Sequence, residues 1–147
     1  MGDDSSQLVR VINTVCAEGM MATRRFEPTP AWSHALEHPD CPCHLLLVVE
    51  QAGRVVGWCR AFEEDDEGVN VGIGLLAEYR NKGIGTSVLM NTLEWAKLQG
   101  FSHANLETRP ENARALHVFH KVGFVPLGLA SDGQVRMQLQ LDKERIR

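Results

Sequence analysis

The feature that most constrains the fold is a pair of glycines at the start of an amphipathic helix. The run EYRNKGIGTSVLMNTLEWAK, residues 78–97, carries a charged turn into Gly83-Ile84-Gly85. Apolar residues follow at positions 84, 88, 89, 93 and 96, the spacing of one helical face. Because glycine costs a helix about 1 kcal/mol relative to alanine, its use here indicates that another group approaches the backbone closely.

Two explanations fit these glycines. The free N–H groups at a helix start point outward and carry about half a positive charge, so an anion such as a diphosphate gains several hydrogen bonds there. Arg80 and Lys82 add positive charge beside the turn. The alternative is a helix packed tightly on a sheet, and the glycines alone favour neither explanation.

Hydrophobic periodicity divides the rest of the chain into helices and strands. The predicted helices cover residues 6–21, with Ser6 as the N-cap, 28–38, 84–99 and 110–122, and the predicted strands cover 44–51, 54–62, 69–76, 103–108, 124–129 and 134–141. Hairpins therefore alternate with crossover helices. This order predicts a single α/β domain over residues 1–147 with strands of mixed direction.

Composition and charge exclude several classes of protein. The formal net charge is −4, whereas a nucleic-acid binder usually carries a basic surplus. No apolar run approaches the roughly 18 residues that span a membrane, and the N-terminus carries acids where a secretory signal carries positive charge. We therefore expect a cytoplasmic protein with reduced cysteines. The run HALEHPDCPCH, residues 34–44, lacks the usual zinc-ligand spacing, so no metal site is predicted.

Context argues against two nucleotide-binding motifs. GIGLLA, residues 72–77, fits a dinucleotide-binding pattern. That pattern opens a helix at once, whereas the predicted helix here begins only after a charged turn. A P-loop is absent, because no Lys-Ser or Lys-Thr pair follows a glycine at the required spacing.

Three separated motifs resemble the GCN5-related N-acetyltransferase (GNAT) family. They are LLAEYRNKGIGTSVL, NLETRPENARAL and KVGFVPLG, in the family's order. The resemblance covers roughly residues 45–141. It implies a mixed central sheet flanked by helices, with two splayed parallel strands at 69–76 and 103–108. The first strand usual in this family has no evident counterpart in the sequence.

The resemblance also implies that acetyl-coenzyme A lies between the splayed strands as the acyl donor. Asn112 matches a family asparagine that contacts the cofactor arm, with a helix N-cap as its alternative role. Phe119 would pack near the cofactor's sulfur. The backbone of Leu75, Leu76 and Ala77 would pair with the pantetheine arm, and the amides of Arg80, Asn81, Lys82, Gly83, Ile84, Gly85 and Thr86 would bind the diphosphate.

The implied reaction is direct attack of a primary amine, on a small molecule or a polypeptide, on the thioester. Glu107 in the second splayed strand is the best-placed acid to serve as general base, with a surface ion pair as its alternative role. The first splayed strand offers Asn70 where many relatives carry glutamate. Glu50 and the acidic run 63–67 are further candidates, although the run is predicted to be a solvated loop.

Phe119 stands where the family usually has a catalytic tyrosine. Phenylalanine cannot donate a proton, but a thiol with a pKa near 8.5 can leave as the thiolate. The sequence therefore predicts an N-acetyltransferase, with a catalytically weak or inactive coenzyme A-binding module as the alternative and an NAD- or GTP-binding domain built on GIGLLA as a third hypothesis. The acidic run favours a cationic acceptor, and the resemblance leaves open whether the protein forms a homodimer.

Overall fold

The structure, a computed structural model, describes residues 2–16, 37, 43–65, 67–80, 82–130 and 132–141. Helices and strands alternate along these ranges in the way that the hydrophobic periodicity predicts. In chain order they are α1 (Gly2–Cys16), β1 (His44–Gln51), β2 (Arg54–Glu63), β3 (Gly68–Leu75), a short 3₁₀ turn (Ala77–Tyr79), α2 (Ile84–Leu98), β4 (His103–Thr108), α3 (Ala113–Val122), β5 (Val125–Leu129) and β6 (Val135–Gln140).

The strands form one six-stranded sheet in the order β1-β2-β3-β4-β6-β5. β3 and β4 are parallel, and each of the other neighbouring pairs is antiparallel. Helix α2 makes the crossover that a parallel pair requires. β1 and β2 join through Ala52 and Gly53, whose φ values of 54° and 79° suit a tight two-residue hairpin turn. The predicted fold class, a mixed α/β sheet flanked by helices, is confirmed.

The predicted start of the first helix is wrong by one turn. α1 begins at Gly2, so Ser6 lies inside the helix and is not its N-cap. Residues 2–5, GDDS, contain no proline and two acids, a composition that favours the first turn of a helix. Residues 17–21 and all of the predicted second helix except Glu37, which is helical, lie outside the described ranges.

The third helix begins three residues later than predicted. α3 starts at Ala113 rather than at Pro110, because Asn112 caps it. The Asn112 Oδ1 atom accepts a hydrogen bond from the N–H of Ala115 at 3.2 Å, which is the role of an N-cap side chain. The helix ends at Gly123, as predicted, with φ of 121° at that residue.

Apolar side chains cover both faces of the sheet. On one face α1 and the sheet enclose a smaller cluster, which is Leu8, Val11, Ile12, Val15, Val55 and Trp58. On the opposite face α2 and α3 enclose the larger core, which is Cys59, Ala61, Val69, Val71, Leu89, Leu93, Ala96, Phe101, Ala104, Leu106, Phe119, Phe124, Met137 and Leu141. Side chains of successive strand residues alternate between these faces.

The glycines of GIGLLA make room for two side chains of the neighbouring strand. In the β2–β3 pairing Gly74 lies opposite Trp58, and Gly72 lies opposite Arg60. A Cβ atom on Gly74 would lie 2.3 Å from Cη2 of Trp58, and one on Gly72 would lie 2.9 Å from Cζ of Arg60. Packing within the sheet therefore accounts for this glycine pattern without a nucleotide.

The Cys59 thiol makes stability depend on pH in the alkaline range. Burial raises its pKa to about 11 from 9.0, against a smaller opposite effect of the Thr92 hydrogen bond. Between these values the unfolded chain loses the proton and the folded chain keeps it, so the free energy of unfolding falls by about 2 to 3 kcal/mol as pH rises from 9 to 11. Urea unfolding of the unmodified protein and of Cys59→Ala across this pH range measures this fall. An equal fall in the free energy of unfolding of both proteins would contradict this role of Cys59.

Candidate active site

The two parallel strands separate part-way along their length. β3 and β4 pair only at Gly68 with His103, Val69 with Ala104 and Asn70 with Asn105. Both strands continue, β3 to Leu75 and β4 to Thr108. Within the described ranges, the backbone of β3 beyond Asn70 therefore has no strand partner on its β4 side. The result is an open wedge whose apex lies at Asn70 and Asn105, as the resemblance implied.

The end of β3 presents backbone groups to this wedge. The N–H of Leu76 donates to the carbonyl of Val56 on β2 at 2.9 Å. Because backbone amides of successive strand residues point in opposite directions, the N–H and C=O of Leu75 face the wedge. Nε of Arg80 donates to this Leu75 carbonyl at 3.0 Å. Arg80 thus holds the end of the strand, a role that its sequence position alone did not predict.

The helix start beside the wedge has backbone donors without partners in the helix. Gly83 precedes α2 with φ of 82°, and no side chain in the described ranges caps the helix. The first backbone hydrogen bond runs from the N–H of Ser87 to the carbonyl of Gly83 at 3.1 Å, so the N–H groups of the three residues before Ser87 have no partner within the helix. Lys82 is exposed next to this turn, and Asn81 lies outside the described residues.

The two glycines at this helix start have different explanations. Gly83 adopts a left-handed conformation, which glycine accommodates without strain. Gly85 is helical, and a Cβ atom there would make only an ordinary contact, 3.6 Å from Cδ1 of Leu75. Packing against the described part of the chain therefore does not require glycine at position 85. Of the two explanations left open by the sequence, close helix-on-sheet packing is disfavoured.

Asn112 and Phe119 both have structural roles. The Asn112 side chain caps α3 through its Oδ1 atom, which leaves its Nδ2 group for other contacts. Phe119 is buried and packs edge-on against Phe124, with the ring centroids 5.9 Å apart. The cofactor contacts that the resemblance implies for these two residues stay predictions.

Glu107 is engaged in an ion pair across the sheet. It lies opposite Arg136 in the β4–β6 pairing, and its Oε2 atom is 3.3 Å from Nε of Arg136. The two side chains are 35% and 43% exposed. The alternative role considered for Glu107, a surface ion pair, is therefore present, and its function as general base stays a prediction.

Polar side chains meet at the apex of the wedge in a group that we call the fork cluster: Arg60, Glu64, Asn70, Asn105 and Gln138. Nη1 of Arg60 donates to Oδ1 and to the carbonyl oxygen of Asn70, at 2.8 and 2.9 Å. Nδ2 of Asn105 donates to Oε1 of Glu64 at 2.9 Å. Nε2 of Gln138 donates to Oδ1 of Asn105 at 2.9 Å. The prediction of a solvated run at 63–67 is therefore incomplete, because Glu64 is tied to β4.

Arg60 contributes the positive charge of the fork cluster. Its guanidinium lies over the ring of Phe62, with Cζ 5.0 Å from the ring centroid. Burial lowers the pKa of Arg60, while Cys59 and the Glu64 carboxylate act in the opposite direction. Since arginine keeps its proton at neutral pH, the cluster holds a permanent cation near the Glu64 carboxylate.

A separate cavity of about 290 Å³ lies on the α1 side of the sheet. Its lining includes Gln7, Arg10 and Thr14 of α1 together with Arg54, Leu76 and Glu78. No residue of the fork cluster or of the turn before α2 lines it. We therefore place the candidate site in the wedge, where backbone donors and polar side chains converge.

The described residues contain neither a group of possible metal ligands nor a membrane-spanning helix. In those ranges no three His, Cys, Asp or Glu side chains are grouped so that they could hold a metal ion. His34, His38 and Cys41 of the HALEHPDCPCH run lie outside them. In the same ranges, no helix combines the length and the apolar character needed to cross a membrane.

Comparison with known proteins gives a family match. The model of the acetyltransferase (GNAT) family matches residues 13–124. Streptothricin acetyltransferase A of Bacillus subtilis (strain 168) is 40% identical over 53 residues, which are 36% of this chain and 31% of that protein. The uncharacterized N-acetyltransferase YobR of the same organism is 36% identical over 97 residues, which are 65% of this chain and 38% of that protein. The chain thus matches well under half of the length of each of these curated relatives.

Solved structures share the fold. The phosphinothricin acetyltransferase of the GNAT superfamily from Sinorhizobium meliloti, in complex with acetyl-CoA, superposes with a TM-score of 0.76 at 18% identity, covering 95% of this chain and 84% of that chain. The family model spans most of the chain, and the splayed strands and the uncapped helix start lie where its motifs imply them. This chain belongs to the acetyltransferase (GNAT) family.

Proposed function

We propose that this protein is an N-acetyltransferase that moves the acetyl group of acetyl-CoA to a primary amine of a small molecule or a polypeptide by direct attack. The observation that carries the proposal is the uncapped start of α2 beside the open wedge. At that start stands Gly85, a glycine that neither backbone strain nor packing within the described chain requires. Membership of the acetyltransferase family supports the reaction class.

The residues present fit acetyl-CoA as the acyl donor. The N–H groups from Gly83 to Thr86, with Lys82 beside them, suit a diphosphate, because they combine hydrogen-bond donors with the positive end of the helix dipole. The N–H of Leu75 faces the wedge and suits an amide of an extended arm. Contacts of Ala77, Asn81, Asn112 and Phe119 with the donor stay predictions.

The chemistry then requires a neutral amine nitrogen. A lysine-like amine with a pKa near 10.4 is only about 1 part in 2,500 neutral at pH 7, so its deprotonation costs about 4.6 kcal/mol. An α-amine with a pKa near 8 needs only about 1 kcal/mol. A general base therefore matters greatly for the first kind of acceptor and little for the second. Phe119 donates no proton, and the sulfur leaves as the thiolate.

The acceptor class is the least constrained part of the proposal. The names of Streptothricin acetyltransferase A and of the phosphinothricin acetyltransferase point to small molecules as the substrates of those proteins. In this chain the acidic residues 63–67 favour a cationic acceptor. We also propose a cytoplasmic location and a single domain over residues 1–147, while homodimer formation stays an open prediction.

A thiol-release screen tests the proposed function. Acetyl-CoA and longer acyl-CoA donors are incubated with a panel of primary amines, and free thiol is measured with and without the protein. We expect release with acetyl-CoA and at least one amine, at least about tenfold above the uncatalysed rate. Calorimetric binding of acetyl-CoA without release for any amine would favour the weak or inactive coenzyme A-binding module, and binding of NAD would favour the dinucleotide hypothesis. The same assay on Glu107→Gln tests the predicted base.

A further inference from the structure

The Glu64 carboxylate is fixed at the apex of the wedge. Its Oε1 atom accepts a 2.9 Å hydrogen bond from Nδ2 of Asn105. Asn105 is only 7% exposed, and it is the last β4 residue paired with β3 before the strands separate. Glu64 itself is exposed, so a molecule that approaches the apex from solvent meets this carboxylate.

A chain of three side-chain hydrogen bonds ends at Glu64. Nε2 of Gln140 donates to Oε1 of Gln138 at 3.0 Å, Nε2 of Gln138 donates to Oδ1 of Asn105, and Nδ2 of Asn105 donates to Glu64. An ionised carboxylate can only accept hydrogen bonds, so it sets the direction of this chain of amides. The chain orients one oxygen of Glu64 and leaves Oε2 for a ligand.

The apex is where the reacting end of the donor would lie. This step rests on the proposed function, in which the diphosphate binds at the start of α2 and the arm runs back along β3 from Leu75. Five residues of strand, from Leu75 to Asn70, span about 17 Å at about 3.3 Å per residue. An extended arm therefore carries the thioester away from α2 and toward Asn70 and Asn105.

The two acids near the apex differ in their partners. Glu107 forms an ion pair with Arg136 at 3.3 Å, so its protonation would break that pair. Glu64 accepts its hydrogen bond from a neutral amide, and protonation of its Oε2 atom would leave that bond in place. The Arg60 cation also acts on the Glu64 carboxylate. The hydrogen bond from Asn105 nevertheless holds Glu64 in either protonation state, whereas Glu107 depends on its ion pair.

We propose that Glu64, and not Glu107, takes the proton from the acceptor amine, and that Asn105 positions it. The acceptor ammonium gives one proton to Oε2 of Glu64, and the neutral nitrogen attacks the thioester carbonyl carbon. The C–N bond forms, the C–S bond breaks, and the electron pair leaves on sulfur. The second nitrogen proton passes to the thiolate, which gives coenzyme A and the amide, and Glu64 releases its proton to water.

The test compares amine acceptors of different pKa. Glu64→Gln keeps an oxygen that accepts from Asn105 but cannot take a proton. With an alkyl amine of pKa near 10 we expect kcat to fall about 100-fold or more, and with a peptide α-amine of pKa near 8 only about threefold. Acetyl-CoA affinity, measured by calorimetry, should stay unchanged. Glu94→Gln, at an exposed acid of α2 outside the acidic run, is the matched control and should keep kcat for both amines.

Four results would overturn the proposal. The first is a fall in kcat of Glu64→Gln that is equal for both amines, since that indicates a structural role. The second is a fall in kcat that is larger for the amine of higher pKa and that appears in Glu107→Gln but not in Glu64→Gln. The third is the absence of thiol release by the unmodified protein with any amine, which would overturn the proposed function as well. Release by the unmodified protein with unchanged rates in Glu64→Gln would overturn this proposal alone.

Discussion

Replacement of Gly85 by glutamate is expected to weaken coenzyme A binding by about 100-fold or more, equivalent to about 2.7 kcal/mol. The added side chain would start at the second residue of α2, where the predicted diphosphate lies against the N–H groups. A carboxylate there repels a diphosphate and occupies its space. The same carboxylate interacts favourably with the helix dipole, so thermal stability should be kept. Calorimetric titration with coenzyme A and a thermal melt measure the two effects.

Gly85→Ala is the matched control, because it adds a methyl group at this position without adding a charge. Its Cβ atom would meet Cδ1 of Leu75 at 3.6 Å, an ordinary contact, and alanine is favoured over glycine in a helix by up to about 1 kcal/mol. We expect an equal or higher melting temperature together with weaker coenzyme A binding, by about fivefold to tenfold. If Gly85→Glu bound coenzyme A as tightly as the unmodified protein, the helix start would not be the diphosphate site.

Trp58→Ala is expected to lower the free energy of unfolding by about 3 to 5 kcal/mol, the usual cost of removing a large buried aromatic side chain. Trp58 is 2% exposed and packs between α1 and the sheet. Gly74→Ala should cost about 1 to 3 kcal/mol through overpacking, because its Cβ atom would lie 2.3 Å from the Trp58 ring. Urea unfolding of each variant measures both values.

The double variant separates this clash from a general intolerance of alanine in β3. Without the indole ring, the Cβ atom at position 74 has room, so Gly74→Ala should add little to the loss caused by Trp58→Ala. The two changes are in contact and are therefore expected to be non-additive. Additive losses would show that glycine at position 74 is needed for a reason other than Trp58.

Local sequence signals predicted most of the elements in this fold. The alternation of apolar and polar residues predicted β6, and Gly83 predicted the start of α2. Both predictions depend on residues that are close together in the chain. Helix starts were less accurate. The first helix begins at Gly2 and not at Ser6, and α3 begins after Asn112 and not at Pro110, although an N-cap was one of the two roles considered for Asn112. The family resemblance supplied the parallel pairing of β3 with β4, which periodicity alone does not give.

The contents of the site were harder to predict than the elements. The partners of Glu64 and Glu107 are Asn105 and Arg136, which are distant in sequence and meet only through strand order and register. Sequence context already argued against a nucleotide at the glycines of GIGLLA, but only the strand register showed that Trp58 and Arg60 lie opposite them. Contacts between strand residues that are distant in sequence produce no periodic pattern in a single amino-acid sequence. The sequence indicated Glu64 only as one of the acids in the run 63–67. Charge alone did not distinguish Glu64 from the other acids of that run.

The short β3–β4 pairing has a consequence for the behaviour of the whole sheet. Three residue pairs join two antiparallel leaves, β1-β2-β3 and β4-β6-β5. We expect the amide hydrogens of these three pairs to exchange with solvent faster than those of the longer antiparallel pairs. An acyl donor bound between the leaves would bridge them and stabilise the folded state by mass action. The thermal stability of this protein would then rise with the concentration of that donor.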